Sequence, residues 1–175
     1  MDVLITVPHA DDHGLIDTIV GFLRGIGIAI REDAVPDEAF LPGLKIEAGG
    51  LIVDRTRLTW PGDLLHEAGH IAVTPAARRS QLSDDLQGHD EAPHGGEVEA
   101  TAWAYAATVA LKLDPSILFH DGGYRGKSPA LIMTYSLGVY PGCQGLFEAG
   151  LTLLGEAART RGIAPYPHMI RWLRQ

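Results

Sequence analysis

The segment between Pro61 and Pro75 has little choice of regular structure. Proline suits the first turn of a helix, where its missing N–H costs nothing, and it drives the residue before it out of the helical region. A helix opening near Pro61 and stopping before Pro75 is therefore predicted, carrying HEAGHIAV. Just past His70 it is apolar (Ile71, Ala72, Val73), so it needs a core to lie against.

The flanking pattern supplies that core. Leu15, Ile16, Ile19, Val20 and Leu23 recur at helical spacing after Asp11 and Asp12, and Gly25 or Gly27 can end that helix. IAIRED reads as a strand, as does the short run at residues 3–7. LKIEAGGLIVD holds two β-rich runs around Ala48-Gly49-Gly50, a hairpin pattern. Residues 76–96 are polar and read as a long loop. EVEATAWAYAATVALKL then reads as an Ala-rich helix ended by Asp114-Pro115, with a short helix after it. DGGYRGK reads as a loop. Further helices are predicted from Ser128-Pro129 toward Val139, over residues 144–160, and after Pro165 and Pro167. Helix, small sheet, then mostly helices defines an α+β class, and residues 1–175 read as one domain.

Charge and cysteine content exclude several functions. The net charge is -8, and no basic cluster exceeds the pair Arg78-Arg79. Nucleic acid and anionic membrane surfaces both demand concentrated positive charge, so neither is an expected partner. One cysteine, Cys143, cannot form an internal disulfide and reads as a structural thiol. MDVLITVPHADD lacks the basic start of a signal peptide, and no apolar run is long enough to span a bilayer. The expected location is cytoplasmic.

The predicted helix at Pro61 places His66 and His70 four residues apart, on one face and one turn apart. Two imidazoles so placed can reach one zinc ion, and Glu67, rotated by about 100°, can stand beside the ion without ligating it. Zinc acidifies water, and a neighbouring carboxylate can take the water's proton as it attacks a carbonyl. A catalytic zinc site needs a third protein ligand. Glu97 and Glu99 open the next long helix on different faces, so one can face the metal and the other the solvent.

HEAGHIAV, followed after a loop by EVEATAWAYA, resembles the ImmA/IrrE-type minimal zinc metallopeptidases of the gluzincin group. Glu99-Ala100-Thr101-Ala102-Trp103-Ala104 matches the family's glutamate motif, with Thr101 where the family has Asn or Asp. PGLKIEAGGLIVDR is similar to the hairpin and edge strand that precede its active-site helix. The resemblance covers roughly residues 40–110. It implies a minimal zincin-like domain with additional C-terminal helices, peptide-bond hydrolysis, zinc on His66, His70 and Glu99, Glu67 as acid/base, and a peptide or protein substrate. Glu97 is the alternative third ligand. The rival readings are a non-catalytic zinc-binding sensor or regulatory module on the same fold, a structural protein with an accidental HExxH, and an amidase acting on non-peptide amides.

Four later residues are candidates to donate to a carbonyl oxygen as charge develops on it: His120, Tyr124, Tyr135 and Tyr140. Tyr140, before Pro141-Gly142, is the one chosen, and Tyr124 in DGGYRG is the next best placed. His9, Asp11, Asp12 and His13 form a further His-bearing acidic cluster, read mainly as the start of a helix. His89, Asp90, Glu91 and His94 fall in the loop between the two motifs and read mainly as solvated.

Overall fold

The chain is described by a computed structural model over residues 10–84 and 96–175. The strand expected at residues 3–7, His9, the side chain of Asp11, and the loop residues His89, Asp90, Glu91 and His94 lie outside the described residues. Helix α1 spans Ala10–Gly25 and buries Ile16, Ile19, Val20 and Leu23 along one stripe. Gly27, in the left-handed region at φ 99°, turns the chain into strand β1, Ile30–Glu32.

Strands β2 (Leu44–Glu47) and β3 (Gly50–Val53) form the antiparallel hairpin, closing Glu47 against Gly50. Both turn residues, Ala48 and Gly49, have positive φ, matching the primed turns that suit a twisted hairpin. Strand β1 joins the other side of β3 in parallel, pairing Ile30 with Leu51, and the order is β1-β3-β2. β3 is buried along its whole length because it is the central strand and α2 packs on it.

Helix α2, Asp63–Val73, begins after the Pro61-Gly62 turn and ends at extended Thr74. The carbonyls at its C-terminal end have no helical partner and need outside donors. Two arginines supply them. Arg79 donates from Nε to Ile71 O at 3.2 Å and from Nη2 to Thr74 O at 3.2 Å. Arg174 donates from its backbone N–H to Ala72 O at 2.9 Å and from Nη1 to Val73 O at 3.3 Å. Arg79 also donates to Arg174 O, so the end of the chain is strapped to α2. Positive charge at a helix C-terminus is favoured by its dipole. Arg79 reaches this position because residues 76–79 form a short helix, α3 (Ala76–Arg79), where a loop was expected.

Helix α4, Glu97–Ala110, stops short of the run expected through Leu113. Leu113 N–H bonds Thr108 O and Lys112 N–H bonds Val109 O, each at 3.0 Å, with Lys112 at φ 56°. That pair of bonds is a Schellman stop, favourable enough here to hold a lysine in the left-handed region. Asp114 then caps α5 (Pro115–Leu118) by accepting from Ser116 N–H at 2.8 Å. Helix α6 is Ser128–Ser136.

The helix expected over residues 144–160 is two helices, α7 (Cys143–Glu148) and α8 (Gly155–Arg161). A second Schellman stop divides them, with Leu151 N–H on Leu146 O at 2.9 Å and Gly150 at φ 73°. The freed residues Leu151, Thr152 and Leu153 are buried in extended chain, and Thr152 bridges Met169. That pairing takes the place of the last short helix expected after Pro165 and Pro167. The architecture is α+β, with a small mixed sheet and a majority of helix. Among the described residues, no helix is long and apolar enough to cross a membrane.

Helices α2 and α4 make the most extensive contact of the fold. A Cβ placed on Gly69 would lie 2.5 Å from Ala100 O. Nothing flexible can yield there, so Gly69→Ala should force the helices apart and cost about 1–3 kcal/mol. Gly21, exposed on α1 with nothing within 4 Å of its Cβ position, is the counterpart. Gly21→Ala should stabilise by about 0.5–1 kcal/mol. Urea midpoints of the two variants, moving in opposite directions, check both statements.

Candidate metal centre

The close approach at Gly69 decides which side chains of α4 meet α2. Ala100 faces α2, and Glu97, three residues earlier, shares that face one turn toward the N-terminus. Its carboxylate reaches both histidines: Oε1 is 2.9 Å from His66 Nε2 and Oε2 is 3.2 Å from His70 Nε2. The two Nε2 atoms are themselves 3.2 Å apart. These three side chains are the one group of at least three His, Cys, Asp or Glu among the described residues that converges in this way.

The chemistry of this donor set fits a metal ion. Two ring nitrogens 3.2 Å apart and one carboxylate converge on a single point. A cation at the centre accepts both lone pairs and the carboxylate together. Three ligands bound to zinc at about 2.0–2.1 Å with tetrahedral angles lie about 3.3–3.4 Å from one another. The observed edges of 2.9, 3.2 and 3.2 Å need only a small expansion. Hydrogen bonds from His66 and then His70 hold the Glu97 carboxyl well below the usual glutamate range, so it is ionised and ready to ligate.

The surrounding residues orient the pair. His66 Nδ1 lies 3.3 Å from the Tyr124 hydroxyl, and the two rings meet edge to face at 5.7 Å. Were Nε2 to hold a metal, Nδ1 would carry the hydrogen and could donate it to Tyr124 Oη. Burial and then the charges of Asp63 and Glu97 push the Tyr124 hydroxyl far above its ordinary pKa, so it stays neutral. Tyr124 is held in the left-handed region, φ 55°, by the turn that begins Gly122-Gly123. Asp63, one turn before Glu67, accepts a 2.7 Å hydrogen bond from His120 Nε2–H in a site where the two side chains are 16% and 5% exposed. That bond ties the 119–124 segment to the first turn of α2. Glu67 is buried, at 7% exposed.

The geometry corrects two of the expected roles. Glu99 is not with the histidines. It is rotated by about 200° from Glu97 on the same helix and lies against Gly145, with Oε2 also 2.9 Å from the Cβ position of Gly96. It lines a separate small cavity with Val73, Glu148 and Arg174. Tyr140 is not at the site either. Its ring contacts are Tyr105, Tyr135 and Tyr166, because the Pro141-Gly142 turn folds it onto α4. Tyr135 is buried in the same group, donating to Pro141 O. The tyrosine that meets the site is Tyr124. Thr101 turns back on its own helix, donating to Glu97 O at 2.7 Å, and supports the ligand-bearing turn without reaching an imidazole. Asp63 and Trp60 were not singled out from sequence. Asp63 and His120 are 57 positions apart, and nothing in the spacing joins them.

Comparison with family models, curated proteins and solved structures finds no match.

Metal affinity should therefore follow Glu97. Glu97→Ala leaves two imidazoles and should weaken zinc binding at least about 100-fold, whereas Glu99→Ala should change it less than about threefold. Tyr124→Phe removes the acceptor for His66 Nδ1–H and should weaken zinc by about 10–100-fold. Competition against a chromophoric zinc chelator measures all three.

Proposed function

We propose that the chain is a zinc-dependent metallopeptidase on a minimal zincin-like fold, with the metal on His66, His70 and Glu97 and with Glu67 as general base. The observation that carries this reading is the convergence of three ligand atoms from two helices, with a buried carboxylate one residue along from the first ligand. The resemblance of HEAGHIAV and EVEATAWAYA to the ImmA/IrrE-type enzymes supports it, with the ligand two residues ahead of the family's glutamate register.

A zinc ion held there supplies Lewis acidity, polarising a peptide carbonyl and lowering the pKa of water toward about 7. The residues of the chain do the rest. Glu67 is offset by about 100° from His66 around the helix, so its carboxylate stands beside the ligands and does not join them. It takes the proton from the attacking water. It then delivers that proton to the amide nitrogen as the C–N bond breaks, leaving a carboxylate and an amine. Tyr124 fixes the tautomer and tilt of His66. Asp63 and His120 hold the loop that bears Tyr124.

This reading separates the base from the ligands. Glu67→Gln should hold zinc within about threefold of the native chain while peptide hydrolysis falls by about 100-fold or more. Zinc titration and cleavage of a mixed peptide library, run on the same preparation, measure both. Undiminished cleavage by the variant rules out Glu67 as the base, and a native zinc-loaded chain that cuts nothing favours the non-catalytic zinc module.

A further inference from the structure

A cavity of about 690 Å³ opens between Trp60, just ahead of the turn that begins α2, and helix α6. That volume lies in the range of small-molecule sites. Its lining contains neither histidine of the metal centre, nor Glu67, nor Tyr124, so an occupant need not touch the metal. Trp60, Phe119, Ile132 and Met133 supply its apolar surface.

One buried atom of a lining residue has no partner. His120 is 5% exposed, and its ring stacks on Trp60 with centroids 4.5 Å apart and planes at 5°. Its Nε2–H donates to Asp63 Oδ1 at 2.7 Å, so in the neutral ring Nδ1 keeps a bare lone pair. Among the described residues, Nδ1 of His120 is the one buried side-chain nitrogen or oxygen without a hydrogen-bond partner. Native folds pair nearly all such atoms, and an exception asks for a partner from outside the chain.

The ring is not free to turn toward another group. Its stack on Trp60 and its bond to Asp63 hold it, and two glycines press the following loop against the pair. A Cβ on Gly122 would lie 2.3 Å from Trp60 Nε1, and one on Gly123 would lie 3.0 Å from His120 Cε1. The lone pair is therefore fixed before any ligand arrives, which lowers the cost of binding.

The other polar side chains of the lining narrow the kind of partner. Ser116 donates its hydroxyl to Asp114 Oδ1 at 2.6 Å, and Ser128 donates its own to His120 O at 2.7 Å. Both hydroxyl hydrogens are thus taken. Acceptors remain: Nδ1 and the carboxylate of Asp121, the one charged side chain in the lining. A ligand gains by donating a hydrogen and loses by carrying negative charge. The apolar surface favours a body of rings. Met133, unbranched and 65% exposed, can shift to admit it.

We propose that this cavity binds a neutral aromatic small molecule carrying one N–H or O–H donor, with that donor on His120 Nδ1 and the ring against Phe119 and Ile132. The site stands whether or not the metal centre cuts peptides.

The probe is indole, titrated into the full chain with zinc added, labelled with 13C at the methionine methyls and 15N in the histidine rings. Benzofuran, of the same shape with oxygen in place of the N–H, and indole-3-carboxylate are the comparison ligands. The Met133 methyl and His120 Nδ1 resonances should move saturably with indole, and the other two should bind at least about fivefold more weakly. The Met169 methyl, buried outside the cavity, should stay in place. Met133→Glu, at an exposed position that does not threaten folding, should weaken indole at least about fivefold, read on His120. Stripping the zinc with a chelator should leave the indole titration as it was. No saturable movement with indole overturns the proposal. So does benzofuran or the carboxylate binding as well as indole, a Nδ1 resonance that stays still while Met133 moves, or a Met133→Glu chain that binds undiminished. Movement that needs zinc places the ligand at the metal centre and overturns it as well.

Discussion

The site depends on one backbone contact, that of Gly69 on α2 with Ala100 on α4. Helix axes can approach this closely only where a side chain is missing from one partner and small on the other. Gly69 lies inside the HEAGH segment, between Glu67 and His70, so the motif itself supplies the gap. Alanines at 100, 102, 104, 106 and 107, all fully buried, let α4 sink into the core. Close packing of this kind has a fixed register, because a shift of one residue would drive a side chain into backbone. The register then points Glu97 at the histidines and Glu99 at Gly145.

That contact also marks the limit of what could be read from the sequence. The helix of His66 and His70, the Ala48-Gly49 hairpin and the stripe of α1 all follow from local rules of proline, positive φ and helical period. Glu97 and Glu99 satisfy those same rules equally well, and the motif match favoured the second. The choice between them rests on which face of α4 meets α2, a tertiary fact. Tyr124 and Tyr140 present the same problem: both adjoin glycine- or proline-marked turns, but only one turn folds toward His66. The two Schellman stops were missed for a simpler reason. Lys112 is not a residue whose type announces a left-handed turn, and Gly150 sits in a run that otherwise keeps helical period.

Helix α2 is fixed at both ends by polar contacts that are long-range in sequence. At its C-terminus, Arg79 and Arg174 satisfy the last carbonyls. At its N-terminus, Asp63 holds His120, which is packed against Trp60. An unpaired carbonyl or carboxylate in these places would be costly, since each is partly buried. The same bonds therefore stabilise the fold and set the axial position of His66 and His70. Packing of the apolar face alone would leave α2 freer to slide along the sheet. Ligand atoms confined to edges near 3 Å tolerate little such sliding.

Charge around the site bears on what it could hold. Asp63 and Glu67 stand one turn apart on α2 and Glu97 opens α4, and Asp63 and Glu97 pair with histidines. Histidine is a weak counter-charge near neutral pH, since its ordinary pKa is about 6.5. A divalent cation at the centre of the triangle would balance the excess and relieve the two facing imidazoles at once.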